Sequence, residues 1–175
     1  CINVPDGPRA SARMSAQVTC QLMQAQAGIE TVLHFCCRDR NILGIQSELL
    51  GAHAVGVRNL ICITGDPPRM GTYPDATAVF DVDGVGLMEI LRRMNEGQDA
   101  TGSSIGEPTS FYVGAALNPA AEDVAREIDR FQRKVRAGAR CGGCASGPRP
   151  GAAGARGLVG APDAGGRAEA GCWVV

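Results

Sequence analysis

Apolar residues fall into two alternating patterns along the first 140 positions. Short runs of β-branched, aromatic or small apolar residues, bounded by turn formers, lie at Ile2 to Val4, Thr31 to Cys36, Leu60 to Thr64 and Phe111 to Ala116. Such runs predict strands. Between them, apolar residues recur every three or four positions, as they do on one face of a helix. Val18 and Leu22 mark one helix running back toward Ser11; Ile42, Ile45 and Leu49 mark a second; Leu87, Leu91 and Met94 a third. Val124, Ile128, Phe131 and Val135 mark a fourth, spanning Asn118 to Ala137, with Asn118 as its N-cap and Pro119 at the first helical position. Gly28, Gly56 and Gly97 stand where helices need a C-cap, a place that suits a residue free to turn left-handed.

Strand and helix in regular alternation imply parallel βαβ units. No Gly-x-Gly-x-x-Gly follows any strand, which disfavours an open doubly wound sheet and leaves the (β/α)8 barrel. A full barrel takes about 250 residues, so about four βα units make roughly half of one. The expected architecture is an incomplete (β/α)8 TIM barrel of the α/β class over residues 1–140.

A weak internal repeat bears on the rest. "AGIETVLHF" at 27–35 and "VGVRNLICI" at 55–63 each lead from a helix end through glycine into a buried strand, and "AGAR" at 137–140 begins in the same way. A strand is due after Arg140. Instead, residues 141–175 are dominated by Gly, Ala, Pro and Arg and contain no Lys, Ile or Phe. Such a segment buries too little apolar surface to offset its ordering entropy, and is expected to be an irregular, low-complexity tail. Its abrupt onset suggests a frame error or an aberrant end to the reading frame, against a natural flexible extension. The chain begins at Cys1, without methionine, and is expected to be a piece of something longer.

With 45% hydrophobic residues, 20% charged and a formal net charge of -1, the chain has no bias toward nucleic acid or anionic membranes. No run reaches the roughly 18 apolar residues of a spanning helix, and no secretory signal opens the chain, so a cytoplasmic location is expected. Of the eight cysteines, Cys20, Cys36, Cys37 and Cys62 lie in apolar periodic segments and read as small buried hydrophobes.

In parallel α/β folds the strand C-termini collect several loops over a rigid scaffold, and ligands bind there. Pro5-Asp6-Gly7 follows the first strand, His34 and Arg38-Asp39-Arg40 mark the end of the second, Thr64-Gly65-Asp66 the third, and Asn118 the fourth. These polar groups suit a polar ligand, phosphate-bearing or heterocyclic. Gly65 admits close approach to the backbone, and Pro67 with Pro68 presents Asp66 stiffly; the competing reading makes Asp66 an acceptor of turn hydrogen bonds. His34 reads as a rim ligand or as a hydrogen-bonded core residue, and His53 as structural. Arg9, Arg13 and Arg38 to Arg40 could meet phosphate or simply be solvated. Two metal readings fail. Asp81-Val-Asp-Gly opens like an EF-hand loop, but Arg92 holds the twelfth position, where glutamate is needed. Cys141-Gly-Gly-Cys144 has zinc spacing without a second ligand pair.

The stretches "INVPDGPRASARMSA", "GIETVLHFCCRDRNILGIQSELLGAHAVGVRNLICITGDPP", "YPDATAVFDVD", "GEPTSFYVGAALNP" and "FQRKVRAGA" resemble methylenetetrahydrofolate reductase, in the version fused behind a homocysteine S-methyltransferase domain. The resemblance runs continuously from residue 1 to about 139. It implies a (β/α)8 barrel binding FAD at its C-terminal rim, with NAD(P)H as reductant and methylenetetrahydrofolate as substrate, in one-carbon and methionine metabolism. Neither nucleic acid nor membrane is an implied partner, and the full-length protein would be a candidate homo-oligomer. Carried over residue by residue, Asp66 matches the aspartate close to flavin and folate, and Thr64 and Gly65 match backbone around the isoalloxazine ring. His34, Phe80, Asn118 and Lys134 match further FAD-contacting positions, Phe80 standing where some relatives have tyrosine and Asn118 where some have histidine. Pro5 and Asp6 depart from the family's threonine-containing strand end. The family's general acid, a glutamate on the first barrel strand, would precede Cys1, and the tail stands where its folate-contacting glutamine is expected. The chain alone is therefore expected to be incomplete and inactive. The alternatives are a noncatalytic fragment of that enzyme or another ligand-binding barrel on the same scaffold.

Overall fold

A computed structural model describes residues 1–118 and 121–144. Five strands, β1 (Ile2–Val4), β2 (Thr31–Cys36), β3 (Asn59–Ile63), β4 (Tyr112–Leu117) and β5 (Cys141–Cys144), alternate with four helices, α1 (Ala16–Ala27), α2 (Ile42–Ala54), α3 (Gly84–Asn95) and α4 (Val124–Arg136). The strands form one parallel sheet in the order β1-β2-β3-β4-β5. Spatial order follows chain order without reversal, as in a barrel wall; a doubly wound sheet reverses at a switch point. The fold is α/β, a parallel sheet with alternating helices consistent with a partial TIM barrel.

Strand alternation divides the two faces. Leu33, Phe35, Leu60, Cys62, Val113 and Ala115 join Ile45, Leu49, Leu87, Leu91 and Met94 of the helices in one core. The intervening residues, His34 and Cys36 of β2, Asn59 and Ile61 of β3, and Tyr112 and Gly114 of β4, form the opposite, more polar face.

Several boundaries differ from the sequence expectation. β3 begins one residue early, and Thr64 lies just beyond its end. β4 begins after Phe111, whose backbone N–H and C=O are both bonded by the Asn95 side chain at 2.9 Å, a side-chain amide taking the place of a neighbouring strand. α1 starts at Ala16 with Ser15 as cap, and it turns Ala16 and Cys20 inward. Val18 and Leu22 are 44% and 42% exposed. The narrow side chains are the ones that let the helix lie close to the sheet. α4 begins at Val124, capped by Asp123, whose carboxylate accepts from Arg126 N at 2.9 Å. Asn118 is therefore not its cap, and Pro119 lies outside the described residues. Only the C-terminal half of the α4 stripe reaches the sheet: Phe131 packs on the core, while Val124 and Ile128 are 56% and 52% exposed. The three glycines sit at or just past helix ends with φ of 64°, 88° and 80° at Gly28, Gly56 and Gly97, as the pattern requires.

β5 corrects the expectation that the chain turns irregular at residue 141, and it counts against the frame error inferred from that onset. The repeat calls for a strand after Arg140, composition for irregular chain, and the strand forms over Cys141–Cys144, in register with Gly114 to Leu117. Its ladder begins with Arg140 N donating to Val113 O at 2.8 Å. A neighbouring strand supplies backbone partners whatever the side chains, and a Cβ at Gly142 would meet the Phe131 ring at 3.0 Å, so glycine lets α4 close over β5. The Cys141-Gly-Gly-Cys144 spacing is thus part of the sheet. The rest of the expected irregular tail, residues 145–175, lies outside the described residues.

The Asp81-Val-Asp-Gly segment caps a helix. Asp83 accepts from the N–H groups of Val85 and Gly86 at 3.0 and 2.9 Å, and Asp81 accepts from Ile42 N at 3.1 Å. Asp83→Ala is expected to cost about 1 kcal/mol, the usual value of an N-cap, read as a lower urea midpoint at unchanged m-value.

Candidate functional site

The loops after β1, β2 and β3 are tied together by two arginines, Arg38 buried and Arg40 half-buried. Asp6, 12% exposed in its side chain, accepts from Cys36 N at 3.2 Å and from the Arg40 guanidinium at 2.7 Å. Arg40 also reaches Glu48 at 2.7 Å and Cys36 O at 2.9 Å, and lies over the Phe35 ring at 4.6 Å. Arg38 forks onto Asp39 with two bonds of 2.7 Å and reaches the carbonyls of Gly7 and Asp66. Neither arginine is solvated charge, as one sequence reading held. Both hold loops.

At the end of β3, Thr64 Oγ1 accepts from Gly84 N at 3.0 Å, anchoring the start of α3 under the rim. Gly65 follows at φ 96°, lying so close to Cys36 that a Cβ would stand 2.2 Å from the sulfur. Pro67 and Pro68 then lead a 3-10 turn over Pro68–Met70, in which Met70 N bonds Pro67 O. Asp66 between them is exposed, and among the described residues its carboxylate has no hydrogen-bond or ionic partner. The turn is closed by backbone groups and does not need that carboxylate. It faces a cleft of about 250 Å³ lined by Asp6, Gly7, Pro8, Arg38, Thr64, Gly65, Asp66 and Arg130.

Of the sequence candidates, Thr64, Gly65 and Asp66 therefore meet in one cleft, joined by Asp6. His34, Phe80, Asn118 and Lys134 do not line it. His34 stands on the polar face of β2, half-buried, with Nε2 3.2 Å from Asn3 Oδ1. Phe80, half-buried, takes φ 47° next to Val79, whose N–H bonds Arg38 O at 2.9 Å. Left-handed backbone at a bulky residue is uncommon and is kept only where its surroundings enforce it. Asn118 is exposed at the end of β4, its N–H bonding Glu127. Lys134 is only 6% exposed, on the inner side of α4, and Nζ donates to Ala116 O. Burial, with the Arg130 charge, holds its amine below the usual lysine value. His53 is structural, as expected: Nε2 accepts from Ser110 N at 3.1 Å and the ring meets Phe111 edge-on. Arg130 was not legible in the sequence, being one of several charged residues along α4.

The cysteines below the rim are inert thiols. Burial raises Cys36 and Cys62, and pushes Cys37 up to about 12. None supplies a thiolate near neutral pH. Among the described residues no cluster of His, Cys, Asp or Glu could hold a metal ion, and no helix is long and apolar enough to cross a membrane.

Burial holds the His34 imidazole below its ordinary 6.5, against the opposing Asp6 charge, and His53 shifts the same way. The unfolded chain thus takes up protons that the folded chain refuses, so stability should fall as the pH drops below 6.5. Urea midpoints measured between about pH 7 and 5 are expected to decline, and His34→Gln to flatten that decline. An unchanged slope in His34→Gln would remove His34 from the account.

No curated protein matches the chain. The family described as methylenetetrahydrofolate reductase matches it over residues 1–141, which takes in the whole rim and the first residue of β5. A sequential parallel sheet with a cleft at its strand C-termini is the scaffold such an enzyme requires, and the chain belongs to the methylenetetrahydrofolate reductase family, as an oxidoreductase domain.

Proposed function

We propose that this domain takes part in flavin-dependent reduction of methylenetetrahydrofolate to methyltetrahydrofolate, with FAD held at the strand C-termini and NAD(P)H as reductant. The observation that carries the reading is the Asp66 carboxylate, exposed and, among the described residues, without a partner, on a stiff turn at the mouth of the cleft. A carboxylate left unpaired in that place is available to a ligand.

The donor set fits part of a flavin dinucleotide. A cleft of about 250 Å³ lies just under the roughly 300–1,000 Å³ of sites for drug-sized ligands, room for one ring system more than for a whole dinucleotide. Backbone at Thr64 and Gly65 would hold the ring, with Asp66 as the fixed anion beside it. Bound FAD supplies hydride transfer between nicotinamide and folate. The chain supplies position and field: Gly65 lets the ligand approach the backbone, and Asp66 sets the charge that the ligand feels. His34, Phe80 and Asn118 are proposed to contact more distant parts of the cofactor; Lys134, 6% exposed, would have to leave Ala116 O to join them. The fusion to a homocysteine S-methyltransferase domain and a cytoplasmic location belong to the same proposal.

Titrating FAD into the purified chain tests it. Saturable binding in the micromolar range, giving a yellow protein with flavin absorbance, is the expected result. No saturable binding up to about 1 mM would favour a noncatalytic fragment or a barrel for another ligand.

A further inference from the structure

Arg38 ties the loop after β1 to both ends of the loop that follows β3. Its guanidinium donates to Gly7 O after β1 at 3.3 Å and to Asp66 O after β3 at 3.4 Å. Its own carbonyl accepts from Val79 N at 2.9 Å, at the far end of the loop that follows β3. Asp39 takes the opposite edge of the guanidinium in two bonds of 2.7 Å, so four of the five N–H groups are used and the plane is fixed. The residue is 6% exposed, although the partner carboxylate is half in water. Both flanking loops make room for it. A Cβ at Gly7 would stand 2.7 Å from Arg38 Nη2, and one at Gly65 3.2 Å from Arg38 Cβ. Lysine carries the charge but not the fork, and its ammonium cannot span two carbonyls while holding a carboxylate edge-on.

We propose that Arg38 is a positioning residue: by holding the backbone carbonyls of Gly7 and Asp66 on one guanidinium, it fixes where the Asp66 carboxylate stands over the cleft. This rests on the reading of Asp66 as the anion beside the bound ring. A buried arginine serving only general stability would have no reason to join the two loops that flank the cleft. The loop amides and the ligand would then not report on it selectively.

Two measurements on the 175-residue chain decide it, and one needs no ligand. Hydrogen exchange in Arg38→Lys is expected to speed up about tenfold or more at Ser11, Met70 and Gly71, whose amides close the two rim turns, with the core-helix amides of Leu49 and Leu91 unchanged. Gly7→Ala, which displaces the guanidinium from the other side, should produce the same pattern if Arg38→Lys fails to fold. Rim amides that do not change, or rim and helix amides that accelerate by one common factor, overturn the proposal. The second measurement is the midpoint potential of FAD bound to the chain, in Arg38→Lys, Asp66→Asn and the double variant. Arg38→Lys should shift it in the same direction as Asp66→Asn, and the double variant no further than Asp66→Asn alone. Additive shifts mean that Arg38 does not act through Asp66, and overturn the proposal. If the wild-type chain binds no FAD, the flavin reading fails, while hydrogen exchange still decides whether Arg38 orders the rim.

Discussion

Alanine at position 65 is expected to lower the free energy of unfolding by about 3 kcal/mol, from two costs that act together. The backbone there has φ 96°, a region open to glycine and costly, by about 1–3 kcal/mol, to any residue with a Cβ. The added carbon would also stand 2.2 Å from Cys36 Sγ and 3.2 Å from Arg38 Cβ, an overlap worth roughly 1–3 kcal/mol even after the neighbours shift. The two contributions separate by experiment. In the Cys36→Ala background the sulfur is gone, so the steric part of the Gly65→Ala penalty should largely vanish while the conformational part stays. Urea denaturation of the four proteins gives the coupling. If Gly65→Ala unfolds within about 0.5 kcal/mol of the wild type, the loop is free to move, and a rigid presentation of Asp66 has no basis.

Asp66→Asn should leave the fold and FAD affinity nearly unchanged and alter the chemistry. The carboxylate is exposed and makes no hydrogen bond or ion pair among the described residues, so removing its charge breaks nothing in the protein. The effect should fall on a bound ring. A unit charge about 5 Å away in a partly solvated cleft is worth on the order of 1–3 kcal/mol. For a two-electron couple, 1.4 kcal/mol is about 30 mV. An anion disfavours the electron-rich reduced ring, so its removal is expected to raise the flavin midpoint potential by about 20–60 mV. In the active enzyme, folate-dependent turnover should fall by roughly 10²-fold, the scale of losing one preorganised electrostatic group, while FAD binding changes less than about threefold. A wild-type potential together with wild-type turnover would make Asp66 a turn residue only.

How much of this was legible beforehand follows from the range of each interaction. β2, β3 to within one residue at each end, and the core stripe of α3 are read from the chain because strand and helix periodicity are local properties, carried by residues two to four positions apart. The left-handed glycines after the helices are read for the same reason, as is the polar cluster Thr64-Gly65-Asp66, placed by strand direction alone. The helix faces are less well read. Val18 and Leu22 satisfy the periodic pattern as well as Ala16 and Cys20 do, and only the distance to the sheet makes the smaller pair the buried one. Lys134 is buried on α4 because its stem crosses the core edge and its amine finds Ala116 O, a partner 18 residues away that no local pattern names.

The tertiary structure alone decided β5 and the arginines. Composition argues against a strand at Cys-Gly-Gly-Cys, but composition describes the isolated chain, and the open edge of β4 offers it hydrogen-bond partners that the isolated chain lacks. Arg38-Asp39-Arg40 reads as a charged loop. Whether such charges are solvated or clamped depends on carbonyls and carboxylates from β1, β3 and α2, brought to them only when the parallel sheet forms. The sequence by itself thus determined the alternation of elements and the end of the sheet where chemistry collects, since both arise from short-range pattern and strand polarity. Which side chains are buried there, and that Asp6 is paired while the Asp66 carboxylate has no partner among the described residues, was settled by contacts between residues 30 or more positions apart, which exist only in the folded chain.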